Sequence, residues 1–259
     1  KYCYSYRVAP NIIAWNKKRY NQTVKPGSIL NAHGVLDGVL AILKTHNTEG
    51  NKVLIFTPGY SGFFGVIRNA QFETLECPMP IVDGRYEMDL DLMARQIDEE
   101  DVKVMLFCNP QNPTGNCWTV EEMRKMGDVC LEKGVLVVAD EIHCDFVNKH
   151  AKYTPYATIG EKYAMTSYTL KSTSKSFNLA AQHVAYMFSD NQEYIDTLQK
   201  NGHQRRSLNA LGMIACNAAY LHGAQYMDDM QSYIDGNCHF LENFLAENIP
   251  DIKYKVHEG

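Results

Sequence analysis

Three segments of this 259-residue chain end in side chains able to do chemistry. Leu106-Phe-Cys-Asn-Pro-Gln-Asn-Pro-Thr-Gly115 is an apolar run that opens into a polar, proline-stiffened loop carrying Asn112. Val135-Leu-Val-Val-Ala-Asp-Glu-Ile-His143 is a run of buried type that ends in Asp140, with His143 three residues on. Tyr168-Thr-Leu-Lys-Ser-Thr-Ser-Lys-Ser-Phe-Asn-Leu-Ala180 sets Lys175 in a Ser/Thr-rich turn between two apolar runs. In chain order these are an amide, a carboxylate and an amine. An amine can bond a carbonyl carbon, a carboxylate can keep a heterocyclic nitrogen protonated, and an amide can donate to a ring oxygen. Pyridoxal phosphate needs that set.

Each residue has a plainer reading when taken singly. Lys175 could be an ordinary solvated lysine; Ser172 and Ser174 beside it are short hydroxyl donors that suit a nearby phosphate. Asp140 could cap a helix or pair with a cation, and His143 could be a hydrogen-bonded core histidine. The two Asn-Pro steps could be a stiff turn, because the residue before proline is held extended. Asn31-Ala-His-Gly34 precedes an amphipathic helix that opens at Val35. A glycine at a helix start leaves backbone N–H groups open to an anion, where the helix dipole also favours phosphate. Tyr60, just past the apolar run Val53 to Phe56, could pack in the core or stack on a ring.

The elements that must position these residues alternate. Short apolar strands at Val53 to Phe56, Phe72 to Cys77, Val102 to Phe107, Val135 to Ala139, Met165 to Leu170 and His183 to Phe188 are separated mostly by helical spacings. Thr119-Val-Glu-Glu122 is a capping box that opens one of the helices, and Gly134 stops it. This order predicts an α/β fold, a mostly parallel (mixed) sheet with helices on both faces. In such sheets ligands bind beyond the carboxyl ends of the strands, where Asn112, Asp140 and Lys175 fall. From Asn191 the pattern turns helical, with segments at Tyr194 to Leu198, Arg206 to Tyr220 and Ala224 to Asn248. Gly236 is expected to bend or break the last of these, and Ile252 to Val256 to begin a strand. A division near residue 225 follows: a large domain over 1–225 and the start of a smaller C-terminal α/β domain over 226–259.

Composition narrows the function classes. The net charge is −5 and 45% of residues are hydrophobic, so a core is affordable and a basic footprint for nucleic acid is missing. No apolar run approaches a membrane span, and no signal-peptide pattern opens the chain. Eight cysteines include no C-x-x-C pair, so neither a zinc site nor a disulfide framework is expected. Reduced thiols point to the cytoplasm.

With these motifs in hand, the chain resembles fold-type I pyridoxal phosphate enzymes of the class I/II aminotransferase superfamily. It is most similar to the cystathionine β-lyase, or cysteine-S-conjugate β-lyase, type. The likeness rests on Asn109 to Gly115, on Gly134-Val-Leu-Val-Val-Ala-Asp-Glu-Ile-His-Cys-Asp145 and on Ser174-Lys-Ser-Phe-Asn-Leu-Ala180. It implies an aspartate aminotransferase-like large domain and pyridoxal 5'-phosphate as cofactor. It implies that Lys175 forms the Schiff base, that Asp140 faces the pyridinium nitrogen, and that Asn112 and His143 surround the 3-hydroxyl. Tyr60 would stack on the ring, Gly34 and Val35 would form the phosphate-binding turn, and Ser172 and Ser174 would add to it. Tyr4 resembles the tyrosine that reaches the phosphate of the neighbouring subunit, so a homodimer with the site at the interface is implied. Three positions depart from the pattern. His183 stands where many aminotransferases have a phosphate-binding arginine, Ala180-Ala181 replaces Ala-Gly, and Asn31-Ala-His33 replaces a Thr-Pro entry.

The expected activity is carbon–sulfur β-lysis of cystathionine or another cysteine S-conjugate, giving a thiol, pyruvate and ammonia. Class I/II aminotransferase activity is the alternative, because it uses the same Lys175, Asp140 and Asn112. A third reading is the effector domain of a transcription regulator, which would require a DNA-binding domain ahead of Tyr4. The partner is a small amino-acid substrate, with neither nucleic acid nor membrane expected. Family members are longer at both ends, and the arginine that grips the substrate carboxylate is expected beyond Gly259.

Overall fold

The computed structural model describes residues 8–46, 52–203 and 207–259. In chain order the elements are α1 (Ala9–Tyr20), β1 (Leu30–Ala32), α2 (Val35–Thr45), β2 (Lys52–Thr57), α3 (Ser61–Asn69) and β3 (Glu73–Pro78). A two-stranded ribbon follows, β4 (Ile81–Val82) and β5 (Arg85–Tyr86), then α4 (Leu90–Glu100), β6 (Val104–Cys108), α5 (Val120–Glu132) and β7 (Leu136–Asp140). The chain continues through α6 (Glu161–Ala164), β8 (Ser167–Ser172), α7 (Thr173–Ser176), β9 (Ala185–Phe188), α8 (Gln192–Asn201), α9 (Ala210–His222) and α10 (Ala224–Asn248).

Seven strands form one sheet in the order β1-β9-β8-β7-β6-β2-β3. Pairing is parallel from β8 across to β3, while β9 runs antiparallel to both of its neighbours. β6 and β7 are buried at every position, as central parallel strands covered on both faces must be. Successive residues nonetheless serve different layers. Val104, Leu106 and Cys108 pack with α2, α3 and α8 through Ile42, Ile67 and Leu198. Met105 and Phe107 pack with α4 and α5 through Met93, Met123 and Met126. At the β9 edge, Tyr186 and Phe188 join α1, α9 and α10 through Ile12, Trp15, Tyr220 and Met227. Gly38 is where α2 crosses the sheet: a Cβ there would lie 2.7 Å from a Leu170 methyl.

The capping box forms as its sequence requires. Glu122 N donates to Thr119 Oγ1 at 3.2 Å, and Thr119 N donates back to the Glu122 carboxylate at 2.7 Å. Four other expectations fail. Gly236 does not interrupt α10, which is continuous from Ala224 to Asn248. It is solvent-exposed with nothing crowding it, and one exposed glycine costs a helix only about 1 kcal/mol. The buried Met227 and Asp235 hold the helix against the body. Ile252 to Val256 is not a strand. The tail instead lies against two loops: Gly259 N donates to Gly115 O at 2.8 Å, and Asn148 N donates to Glu258 O at 2.8 Å. His183 does not open a strand either; it takes a left-handed conformation (φ 50°) and β9 begins at Ala185. α9 begins at Ala210, not at Arg206, which lies outside the described residues.

Candidate active site

Parallel strands place their carboxyl ends side by side, and three of them frame the site. β7 delivers Asp140 at its last position after four buried apolar residues. The carboxylate is almost wholly buried, and its Oδ1 accepts from Ile142 N at 3.0 Å. Burial pushes the carboxyl up from its ordinary 3.8 to about 7, with the neighbouring Glu141 adding to the rise and Lys175 opposing it.

β6 ends at Cys108 and releases the Asn-Pro loop. The two asparagines divide the work. Asn109 is fully buried; its amide donates to Thr154 O at 3.0 Å and its oxygen accepts from Trp118 N at 3.4 Å. The loop is closed by Gln111 N to Asn116 O at 2.8 Å and Gly115 N to Gln111 O at 2.9 Å. Asn109 therefore builds the loop, and Asn112 is the one that lines the cleft.

β8 delivers Lys175 on the single turn α7. Ser172 caps this turn by accepting from Ser174 N at 2.9 Å, and its hydroxyl donates to Val184 O at 2.6 Å. His143 sits in the turn after β7. Burial, and then the Lys175 charge, lower its imidazole to about 4, so it is neutral at pH 7. Tyr60 caps the start of α3 just past β2, with its ring edge-on to Phe63 at 5.5 Å. Gly34 caps α2 in extended backbone and has open space where a Cβ would stand. The first turn of α2 is thus a helix N-terminus with no side-chain cap.

These residues meet in one cleft of about 470 Å³. Gly34, Val35, Tyr60, Asn112, Asp140, His143, Lys175 and His183 all line it, together with Leu36, Cys108, Ile142 and Ala180. Ser172 and Ser174 are not among its lining residues, and Ser172 spends its hydroxyl on the backbone of Val184. Tyr4 lies outside the described residues. Amine, carboxylate, amide, imidazole, phenol and an uncapped helix start form a donor set that fits a phosphorylated pyridine aldehyde. Among the described residues no cluster of His, Cys, Asp and Glu is arranged to hold a metal, and no helix is long and apolar enough to cross a membrane.

Behind the cleft is a polar layer that the motifs did not disclose. Glu141, fully buried, accepts from Tyr156 N at 2.7 Å and from Tyr153 Oη. Lys171 of β8, also buried, stands 3.5 Å from it. Asp145 accepts from Ser176 Oγ at 2.5 Å and from Tyr20 Oη. The available signal was Lys171 itself, a lysine inside an apolar strand, where an unpaired charge is too costly to leave without partners.

Residues 8–257 match the family model described as aminotransferase class I and II. The chain belongs to that family. Cystathionine beta-lyase PatB of Bacillus subtilis (strain 168) is 32% identical over 246 residues, covering 93% of this chain and 63% of PatB. Protein MalY of Escherichia coli (strain K12) is 27% identical over 250 residues, 95% of this chain and 63% of MalY. Cystalysin from Treponema denticola, whose crystal structure contains a pyridoxal 5'-phosphate cofactor, superimposes with a TM-score of 0.92 at 28% identity. That match covers 97% of this chain and 64% of cystalysin. The PLP-bound C-S lyase from Staphylococcus hominis gives 0.91 at 29% identity, over 97% of this chain and 65% of the lyase. The fold is that of the pyridoxal phosphate-dependent aminotransferases, and the chain spans just under two thirds of the length of these relatives.

Proposed function

We propose that the protein is a pyridoxal 5'-phosphate-dependent carbon–sulfur β-lyase that splits cystathionine or another cysteine S-conjugate. The observation that carries this reading is the convergence of Lys175, Asp140, Asn112, His143 and Tyr60 on one cleft, in a chain similar to cystathionine beta-lyase PatB. When bound, pyridoxal phosphate supplies a carbonyl carbon for amines and a protonated ring that takes up the electron pair released when a substrate C–H bond breaks.

Lys175 Nζ would hold the cofactor, and as a free amine in the same cleft it would take the proton from the substrate Cα as a positioned general base. Asp140 would accept from the ring nitrogen. Its apolar burial makes an uncompensated carboxylate costly, so the site favours a cation at that spot. Asn112 donates its amide toward the ring hydroxyl. His143, neutral at pH 7, adds a hydrogen-bond partner there without placing a second positive charge beside Lys175. Tyr60 would offer its ring to the cofactor for stacking. The open amides at Gly34 and Val35 would take the phosphate, with His183 as a further contact; Ser172 and Ser174 support the Lys175 turn from outside the cleft. Overall one water is consumed and the Cβ–S bond is broken, giving thiol, pyruvate and ammonia.

The protein works in this reading as a cytoplasmic homodimer, with Tyr4 completing the phosphate site of the other subunit. Residues 1–225 form the cofactor-binding domain, and 226–259 open a smaller one. The exposed Tyr233 and Phe240 on α10 (72% and 70% accessible) support that division, since a further domain would cover them. The test is an assay of the full-length protein with cystathionine, following thiol and pyruvate together. Conversion of an amino acid to its keto acid with no thiol released would replace the lyase reading with an aminotransferase.

A further inference from the structure

The chain neighbours of the cleft residues form a second layer. Asp140 faces the cleft and Glu141 faces away from it; Lys175 faces the cleft, and Ser176 behind it is tied to Asp145. α1 supplies the other side of this layer. Lys171 Nζ donates to Asn16 Oδ1 at 2.8 Å and to Gln22 Oε1 at 3.0 Å. It also lies over the rings of Tyr20 and Tyr153, at 4.5 and 5.2 Å from their centroids. Only 1% of Lys171 and none of Glu141 is accessible. Solvent barely reaches this pair: burial pushes the Glu141 carboxyl up, and the Lys171 charge is the foremost influence opposing that rise.

We infer that Lys171 is a positioning residue for the cofactor site: it neutralises Glu141, so that Asp140 is left as the one uncompensated carboxylate at the ring end of the cleft. The inference rests on the pyridoxal phosphate reading. Three arguments support it. Glu141 directly follows Asp140, and its backbone N is fixed to Leu170 O at 2.9 Å, one residue before Lys171. The main chain that carries both carboxylates is therefore tied to β8 beside Lys171. After burial, Glu141 is among the groups that push the Asp140 carboxyl up, so an unneutralised Glu141 would work against an ionised Asp140 and its pairing with a ring cation. Lys171 also bonds Asn16 of α1 and Gln22 just beyond it, which makes its ammonium the joint between the α1 segment and β7 and β8, the strands that lead to Asp140 and Lys175. Breaking such a buried pair from one side leaves a bare charge and is far more costly than removing both charges together.

The experiment is a charge-balance cycle on the full-length protein. Cofactor-free wild type, K171M, E141Q and K171M/E141Q are titrated with pyridoxal phosphate, reading the visible absorbance and the dissociation constant. K171M is expected to weaken binding by at least about tenfold, and the double variant to recover most of that loss, because it removes both charges. E141Q alone leaves the Lys171 ammonium without its carboxylate, so it is expected to lower stability in urea unfolding, but with the charge next to Asp140 removed the folded protein is expected to bind no more weakly than wild type. This arm stands even if K171M fails to fold. A double variant as weak as K171M would show that Lys171 acts through packing alone and would overturn the inference. So would a K171M that binds like wild type, or an E141Q weakened tenfold. Wild type that takes up no pyridoxal phosphate would instead remove the cofactor reading on which the inference stands.

Discussion

Asp140 and Glu141 are consecutive, yet their carboxylates serve opposite sides of the end of β7. Asp140 lines the cleft with Lys175, while Glu141 is enclosed by Lys171, Tyr153 and Tyr156. The alternation of an extended chain produces this split. It places one acid in the chemistry and the other in the framework that supports it.

Asp140 gives the cofactor-free protein a pH signature. Its carboxyl is raised from 3.8 to about 7, so between those values the folded state binds more protons than the unfolded state. Stability must then fall as pH rises through that window. At about 1.4 kcal/mol per pH unit, the most this group can contribute is about 4 kcal/mol. Urea unfolding of the cofactor-free protein from pH 4 to 7.5 measures the slope, and D140N should remove this component. A D140N slope equal to wild type would place the effect elsewhere.

His143 acts in the opposite sense. Its imidazole is lowered from 6.5 to about 4, so the folded state binds fewer protons in that range and stability rises with pH through it. The two groups partly cancel in the wild type. In the D140N background the rise should become visible, and the D140N/H143Q pair should flatten it. The same urea series, run on both variants, checks this.

Only one of the two lysines on the β8–α7 segment can serve as covalent anchor. Lys175 lines the cleft, whereas Lys171 is sealed in the core. K175A should abolish the yellow absorbance given by a cofactor bonded to a lysine, and should lower turnover by at least about a hundredfold, the scale of a lost general base. A yellow band that survives in K175A would show that another amine carries the cofactor.

Gly62 controls Tyr60. A Cβ at position 62 would collide with the Tyr60 ring, coming within 2.7 Å of its Cζ. G62A should therefore swing the ring away from its place over the cleft. The expected result is cofactor affinity reduced by several fold, about 1 kcal/mol, with far-ultraviolet circular dichroism unchanged. Unchanged affinity would mean that Tyr60 does not contact the cofactor.

Glu258 pins the tail to the Asn-Pro loop. Its carboxylate takes Arg85 Nε at 2.8 Å and Cys117 N at 2.7 Å, while Arg85 also holds Glu122 at 2.5 Å. The cluster is about a quarter accessible to solvent, which discounts its charge energy. E258A should cost about 1 kcal/mol of stability in chemical denaturation, mainly through the unpartnered Cys117 amide. It should also increase protease cleavage between residues 109 and 118.

Much of the fold and most of the cleft were legible because they depend on local pattern. Continuous apolar runs identify β6 and β7 as central parallel strands, and the carboxyl ends of such strands are where Asn112, Asp140 and Lys175 had to lie. Thr119 and Glu122 announced the start of α5 because a capping box is closed within four residues. What could not be read is set by distant contacts. Gly236 and the Ile252 to Val256 segment depart from their local pattern because side-chain anchoring of α10, and the bonds from the tail to Gly115 and Asn148, outweigh local propensity.

The sequence by itself determined which groups stand at the strand ends, since each is fixed by the residue type that follows an apolar run. Only the tertiary structure decided their partners. It assigned Asn109 to the loop and Asn112 to the cleft, turned Ser172 toward Val184, and enclosed Lys171 with Glu141, Asn16 and Gln22. Those outcomes follow from the cost of burying unpaired polar atoms, which these side chains reduce by bonding to whatever the fold brings within about 3 Å of them, although Gln22 Nε2 stays without a partner.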